Sequence, residues 1–151
     1  MSIQKYREFI DELCKVIDVE DPSLLYENCH VMLDGVPFTI AHGDPELDSD
    51  SIYIYCDFGA PPEEVKGLVL QRLMETNLVM FGNGTPMFGF NGDTGNILLM
   101  QRMVLSQMEF DSLMYVMEAF VGHIEKWRPL LFAAEPFAEQ LPMMQLAAAA
   151  R

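Results

Sequence analysis

Gly89 to Met100 reads GFNGDTGNILLM, and two opposite folds hang on it. A glycine-dense turn entering an apolar segment outlines a phosphate-cradling loop at the head of a helix, and equally a tight turn between antiparallel strands. The neighbouring residues decide. A Walker loop closes on Gly-Lys-Ser/Thr, whereas Gly95 is followed by Asn96 with no lysine within reach. A dinucleotide fingerprint runs strand, turn, helix, whereas TPMFGF and NILLMQRM, on either side of the turn, both read as strands. Asn91-Gly92-Asp93-Thr94-Gly95 is therefore a hairpin turn, and no phosphate loop exists here.

Working back from that hairpin, residues from Pro61 to about Phe81 have helical periodicity, with a proline in the first turn and Glu63 and Glu64 where the helix dipole favours negative charge. At about 100° per residue, Val65, Leu68, Val69, Leu73 and Met80 gather on one side, and Leu70, Met74, Leu78 and Phe81 on the other. Gln71 and Glu75 separate them along one flank, Lys66 and Asn77 along the other. One stripe covers a sheet. The second needs another partner, and a symmetric dimer in which the helix meets its own copy supplies one; Leu70, Met74, Leu78 and Phe81 are the expected dimer interface, and the stripe with Val69 and Leu73 is the alternative.

Further back lie three strands. CHVML alternates Cys29, Val31 and Leu33 with His30 and Met32; VPFTIA alternates Val36, Phe38 and Ile40 with Pro37, Thr39 and Ala41; SIYIYC alternates Ile52, Ile54 and Cys56 with Tyr53 and Tyr55. Asp34-Gly35 between the first two is a two-residue hairpin signal, and Pro37, lacking a ladder donor, suits an edge or a bulge. Each strand has one apolar and one mixed face. Residues 3–17 form a first helix on Tyr6, Phe9, Ile10, Leu13 and Ile17, and Asp21-Pro22 closes that region. The last helix begins at Ser106, spaced from Glu109 as a capping box, carries Phe110, Leu113, Met114, Met117, Phe120, Val121, Ile124 and Trp127 as one stripe, and stops at Pro129. The fold class is α+β: a five-stranded antiparallel sheet with three helices in the order α-β-β-β-α-β-β-α. Residues 1–128 make one domain, and 129–151 a tail that is loose or a short helix.

Charge excludes whole classes of partner. Nine basic against 23 acidic side chains leave a net charge of −14, a surface that repels phosphate backbones and anionic lipid. No apolar run reaches the roughly 18 residues of a membrane span, and the polar opening MSIQKYREF is unlike a secretory signal, so a cytoplasmic address is expected. Cys14, Cys29 and Cys56 lack CxxC spacing and fall in apolar patterns, as buried free thiols do.

Chemistry is scarce. His30, His42 and His123 form no HxxxH or HExxH pair; Cys29 and His30, adjacent on a strand, point to opposite faces; and His123 lies off its helix's stripe. Counted from Asp44, the acidic loop places Ser49 and Tyr55 where a calcium loop needs glycine and glutamate, so its acids read as solvated charge. No enzyme, metal or cofactor is indicated. Twelve methionines are the remaining anomaly. Most fill core, Met74, Met80, Met114 and Met117 among them. Met32 lies on the mixed strand face, where with Thr39, Tyr53 and Tyr55 it forms the expected partner-binding surface, since tyrosine offers wide apolar contact with a polar tip.

Five segments, in order and spacing, resemble one family: CHVMLD (29–34), LMETNL (73–78), PMFGFNGDTGNILLM (86–100), Val104-Leu105, and AFVGHIEKWR (119–128). The resemblance is to the CesT (Tir chaperone) family, small dimeric chaperones of bacterial type III secretion, and spans residues 3 to 128. VEDPSLLYEN departs from the family's usual turn after the first helix, and the stretch after Pro129 is not covered. The resemblance implies a non-enzymatic homodimer. Such a protein binds the extended region near the N-terminus of a secreted effector without nucleotide, keeps it secretion-competent and assists its delivery to the export ATPase. A dimeric adaptor of the same fold, docking a folded partner, is the alternative.

Overall fold

The element order is the one the pattern implies. A computed structural model describes residues 2–82 and 84–134: α1 (Ser2–Ile17), β1 (Cys29–Leu33), β2 (Val36–His42), β3 (Ser51–Gly59), α2 (Lys66–Met80), β4 (Met87–Phe90), β5 (Ile97–Val104) and α3 (Phe110–Leu131). The five strands form one antiparallel sheet ordered β1-β2-β3-β5-β4. The chain divides into two compact units, one of residues through Cys56 with Arg102–Val121, the other of Asp57–Gln101 with the described residues from Gly122 on.

In the first unit the apolar strand positions all turn one way. Cys29, Val31, Val36, Phe38, Ile40, Ile52, Ile54 and Cys56 are buried, each large aliphatic or aromatic side chain worth about 2 kcal/mol of transfer free energy. The Asp34-Gly35 turn takes φ +50° and +77°, the signature of a tight hairpin, and sets Leu33 opposite Val36. Pro37 pairs with Met32 but lies one residue outside the β2–β3 register, which starts at Phe38 and Cys56. α1 buries Tyr6, Phe9, Ile10, Leu13 and Cys14, and the Tyr6 hydroxyl donates to the Ile40 carbonyl at 3.1 Å. The helix ends at Ile17, as its pattern implies: Asp18 turns left-handed at φ +60°, and the Val19 amide donates to the Cys14 carbonyl at 2.8 Å.

In the second unit α2 buries Val69, Leu73 and Met80, together with Thr76 and Arg72. Asn77, expected on a polar flank, clamps strand β4 instead: its Oδ1 accepts from the Phe88 amide at 2.8 Å and its Nδ2 donates to the Phe88 carbonyl at 2.9 Å. Phe58 meets Phe88 edge-on at 5.3 Å, and Phe88 packs at 6.5 Å from Trp127. Arg128 donates to the Phe58 carbonyl at 2.7 Å. The LMETNL segment thus holds strand β4 at Phe88, and the Trp-Arg segment holds β4 at Phe88 and β3 at Phe58.

Two expectations about α3 are corrected. The Ser106–Glu109 capping box does not form; residues 105–107 make a single 3-10 turn and the helix starts at Phe110. Ser106 has a stronger acceptor, since its amide and hydroxyl both donate to the Asp50 carboxylate, at 3.0 and 2.5 Å. Nor does Pro129 stop the helix, which runs to Leu131. Its last turn is held from outside: Leu131 is buried, and the buried Arg72 guanidinium donates to the carbonyls of Leu131 and Ala133 at 3.0 and 2.6 Å, placing positive charge where the helix dipole favours it. Most of the expected tail, from residue 135 on, lies outside the described residues.

The stretch at Gly89 is the hairpin turn it reads as. Asn91 donates its amide to the Asn96 carbonyl at 2.9 Å and accepts from the Gly95 amide at 2.8 Å, while its side-chain oxygen takes the Asp93 and Thr94 amides. Amides that would cradle a phosphate are spent on the turn itself. Gly95 sits at φ +76° whereas Gly92 does not need a positive φ and has open space around it. Gly95→Ala is therefore expected to cost about 1 kcal/mol or somewhat more, and Gly92→Ala to stay within about 0.5 kcal/mol, as read by urea unfolding followed at the single tryptophan.

Candidate functional site

The mixed strand faces of the first unit assemble into one surface. Across β1, β2 and β3 the register aligns His30 with Thr39 and Thr39 with Tyr55; one step along, Ala41 stands opposite Tyr53. His30 Nδ1 and Thr39 Oγ1 lie 2.8 Å apart, and the rings of Tyr53 and Tyr55 stack at 6.4 Å with 21° between their planes. Met32, opposite Pro37, is 58% exposed; Thr39, Tyr53 and Tyr55 are half-exposed. The four residues expected to bind a partner share this face, with Thr39 and the two tyrosines at its centre and Met32 at its margin.

A polar network that no local pattern announces borders it. Asp48 is no freely solvated charge: Arg102 Nε and Nη2 donate to its two oxygens at 2.9 and 2.6 Å, the Ser51 hydroxyl donates at 2.6 Å, and the Tyr53 hydroxyl donates to Oδ2. Arg102 foremost, then Ser51 and Tyr53, hold the Asp48 carboxyl well below the usual carboxylate range, while the same bond raises the Tyr53 phenol. Arg102 lies 54 residues away on another strand. Only the fold brings the pair together.

In the second unit the two stripes of α2 separate. Val69, Leu73 and Met80 are buried; Leu70 is half-buried, and Met74, Leu78 and Phe81 are 75%, 79% and 82% exposed. Three of the four expected interface residues, Met74, Leu78 and Phe81, are thus uncovered. Met74 is accordingly no core residue, unlike Met80 and Met117, which are buried; Met114 is half-buried. Placing Val65 and Leu68 on the covered stripe also needs correcting, since Val65 is half-buried and Leu68 is 37% exposed: both stand in the turn that enters the helix or just inside it.

All three thiols are buried and none is in a disulfide, and burial, then Cys14, pushes Cys29 up to about 12. His123, expected off the stripe, lies flat on Trp127 with ring centres 3.7 Å apart; burial, then Lys126, pulls it down to about 4. Among the described residues no group of His, Cys, Asp and Glu could hold a metal, and no helix is long and apolar enough to cross a membrane.

The antiparallel sheet thus carries a half-exposed aromatic face, and α2 one largely bare apolar stripe. The chain belongs to the Tir chaperone protein (CesT) family, whose model matches residues 11–128. No curated protein sequence matches it. Among solved structures it is similar to a chain of the ExsC–ExsE complex (TM-score 0.65, 18% identity, 87% of this chain and 97% of that one). It is also similar to a chain of the HopA1–SchA chaperone–effector complex (0.61, 15%, 85% and 96%) and to one of the ExoT–SpcS complex from Pseudomonas aeruginosa (0.56, 18%, 81% and 96%). At these identities the likeness is one of fold.

His123 carries a pH signature. Its folded value, about 4, lies below the ordinary value of about 6.5, so between the two the unfolded chain binds a proton that the folded chain does not. Stability is therefore expected to fall as pH drops through that window. His123→Phe, which keeps a ring against Trp127, should lose less of its urea midpoint between pH 7 and pH 5 than the wild type.

Proposed function

We propose that this chain is a type III secretion chaperone that takes up the extended, non-globular segment near the N-terminus of a secreted effector and keeps it competent for export. The observation that carries this reading is the face made by Met32, Thr39, Tyr53 and Tyr55: half-exposed tyrosines that tolerate water when empty and reward burial when a chain lies across them. Membership of the chaperone family and a fold shared with a chaperone–effector complex support it. The cycle uses no nucleotide. The protein works in the cytoplasm, and the loaded complex is handed to the export ATPase.

The active form is a homodimer. Met74, Leu78 and Phe81, with the half-buried Leu70 beside them, would leave an apolar ridge in water on a lone chain, and two-fold pairing of α2 with its copy covers both ridges at once. Surplus negative charge keeps the remaining surface soluble.

Co-purification from the native cytoplasm, limited proteolysis and mass spectrometry should yield one protected client segment that is protease-sensitive when alone; a segment that resists protease on its own would favour docking of a folded partner. Against that segment, Tyr53→Ala with Tyr55→Ala should bind at least tenfold more weakly, about 1.4 kcal/mol, with the melting temperature near wild type. Light scattering should give twice the chain mass, and Met74→Asp or Leu78→Asp should give folded monomer, whereas Val69→Asp or Leu73→Asp should unfold the chain by burying a charge. ATP turnover by the purified protein would contradict the proposal.

A further inference from the structure

The loop between β2 and β3 carries Asp44, Glu46, Asp48 and Asp50, yet its backbone is closed without help from Arg102. Asp44 Oδ1 accepts the amides of Glu46 and Leu47 at 2.8 and 3.0 Å. The Asp48 amide donates to the Asp44 carbonyl at 2.9 Å, and the Gly43 amide to the Ser51 carbonyl at 2.8 Å. Asp50 is engaged by Ser106. The two-pronged bond from Arg102 to Asp48 adds a different thing: its far end is the Tyr53 hydroxyl, on the ring stacked against Tyr55.

A tyrosine on an open sheet face samples several rotamers, and ordering one such side chain on binding weakens affinity by roughly two- to tenfold. Resting on the client-face reading above, we infer that Arg102 and Asp48 are positioning residues for client capture: the ion pair fixes the Tyr53 hydroxyl and holds the two tyrosine rings parallel before the client arrives. Arg102 is about half exposed and Asp48 a quarter exposed, so the pair contributes little to global stability. Its effect falls on the face.

The test is a double-mutant cycle using a synthetic, fluorescein-labelled copy of the protease-protected client segment. Arg102→Met and Tyr53→Phe should each weaken binding about fivefold, and the double variant should be no weaker than the worse single one, because both cut the same link. Arg102→Lys, which keeps the charge but not the two-pronged geometry, should recover part of the loss. The near-ultraviolet tyrosine dichroism of Arg102→Met should fall while its urea midpoint stays near wild type; if that variant fails to fold, the isosteric Asp48→Asn takes its place. Independent, additive losses, or losses that track a lowered midpoint, would make the pair merely structural and overturn the inference. So would an Arg102→Met protein that binds as the wild type does while the double alanine variant of the tyrosines does not. Full affinity in the double alanine variant would remove the client face itself, and the positioning role with it.

Discussion

A two-residue turn governs the face on which this reading rests. Asp34 and Gly35 both take positive φ, a conformation most side chains resist, and this leaves β1 and β2 a single way to pair. Because side chains alternate with a period of two, a slip of β1 by one residue against β2 would send His30 and Met32 inward and turn Cys29 and Val31 out to water. Burial of the apolar set makes that slip prohibitive. The same alternation, carried into β3, is what leaves Tyr53 and Tyr55 in one column with Thr39 and Ala41 beside them.

The two surfaces differ in how they live with water. The strand face is wettable, because its hydroxyls and imidazole satisfy one another and its apolar area is broken up: the Tyr53 hydroxyl reaches Asp48, Thr39 meets His30. The α2 ridge has no such relief. Met74, Leu78 and Phe81 offer only carbon and sulfur, so in the proposed function the ridge takes the permanent cover of a second copy and the strand face the intermittent one of a client. A chaperone that must exist both empty and loaded needs both kinds.

Much of this was legible in the sequence, and the failures have a common cause. The period-two strands, the two hairpin turns and the two-sided helix rest on local patterns and all are present, though α2 begins at Lys66 and not at Pro61. The features missed are those whose partner is distant in sequence. Ser106 looks like a cap for Glu109 until Asp50 arrives to claim it. Pro129 looks like a stop until Arg72 secures the carbonyls beyond it. Asp48 looks solvated until β5 brings Arg102, and Asn77 looks like a polar flank until Phe88 docks on it. In every case a side chain with several donors or acceptors serves a backbone or a charge some 10 to 60 residues away, and no periodicity records that.

The Asn77 clamp has a consequence for polymerisation. Strand β4 lies at an edge of the sheet, and an open edge invites another chain to continue the ladder. Both main-chain groups of Phe88 are already occupied by one side-chain amide, in the way a matching strand would occupy them. A protein whose trade is to accept extended polypeptides is at constant risk of accepting itself, copy upon copy, into a fibre; with this rung filled from within, growth along β4 meets a terminator.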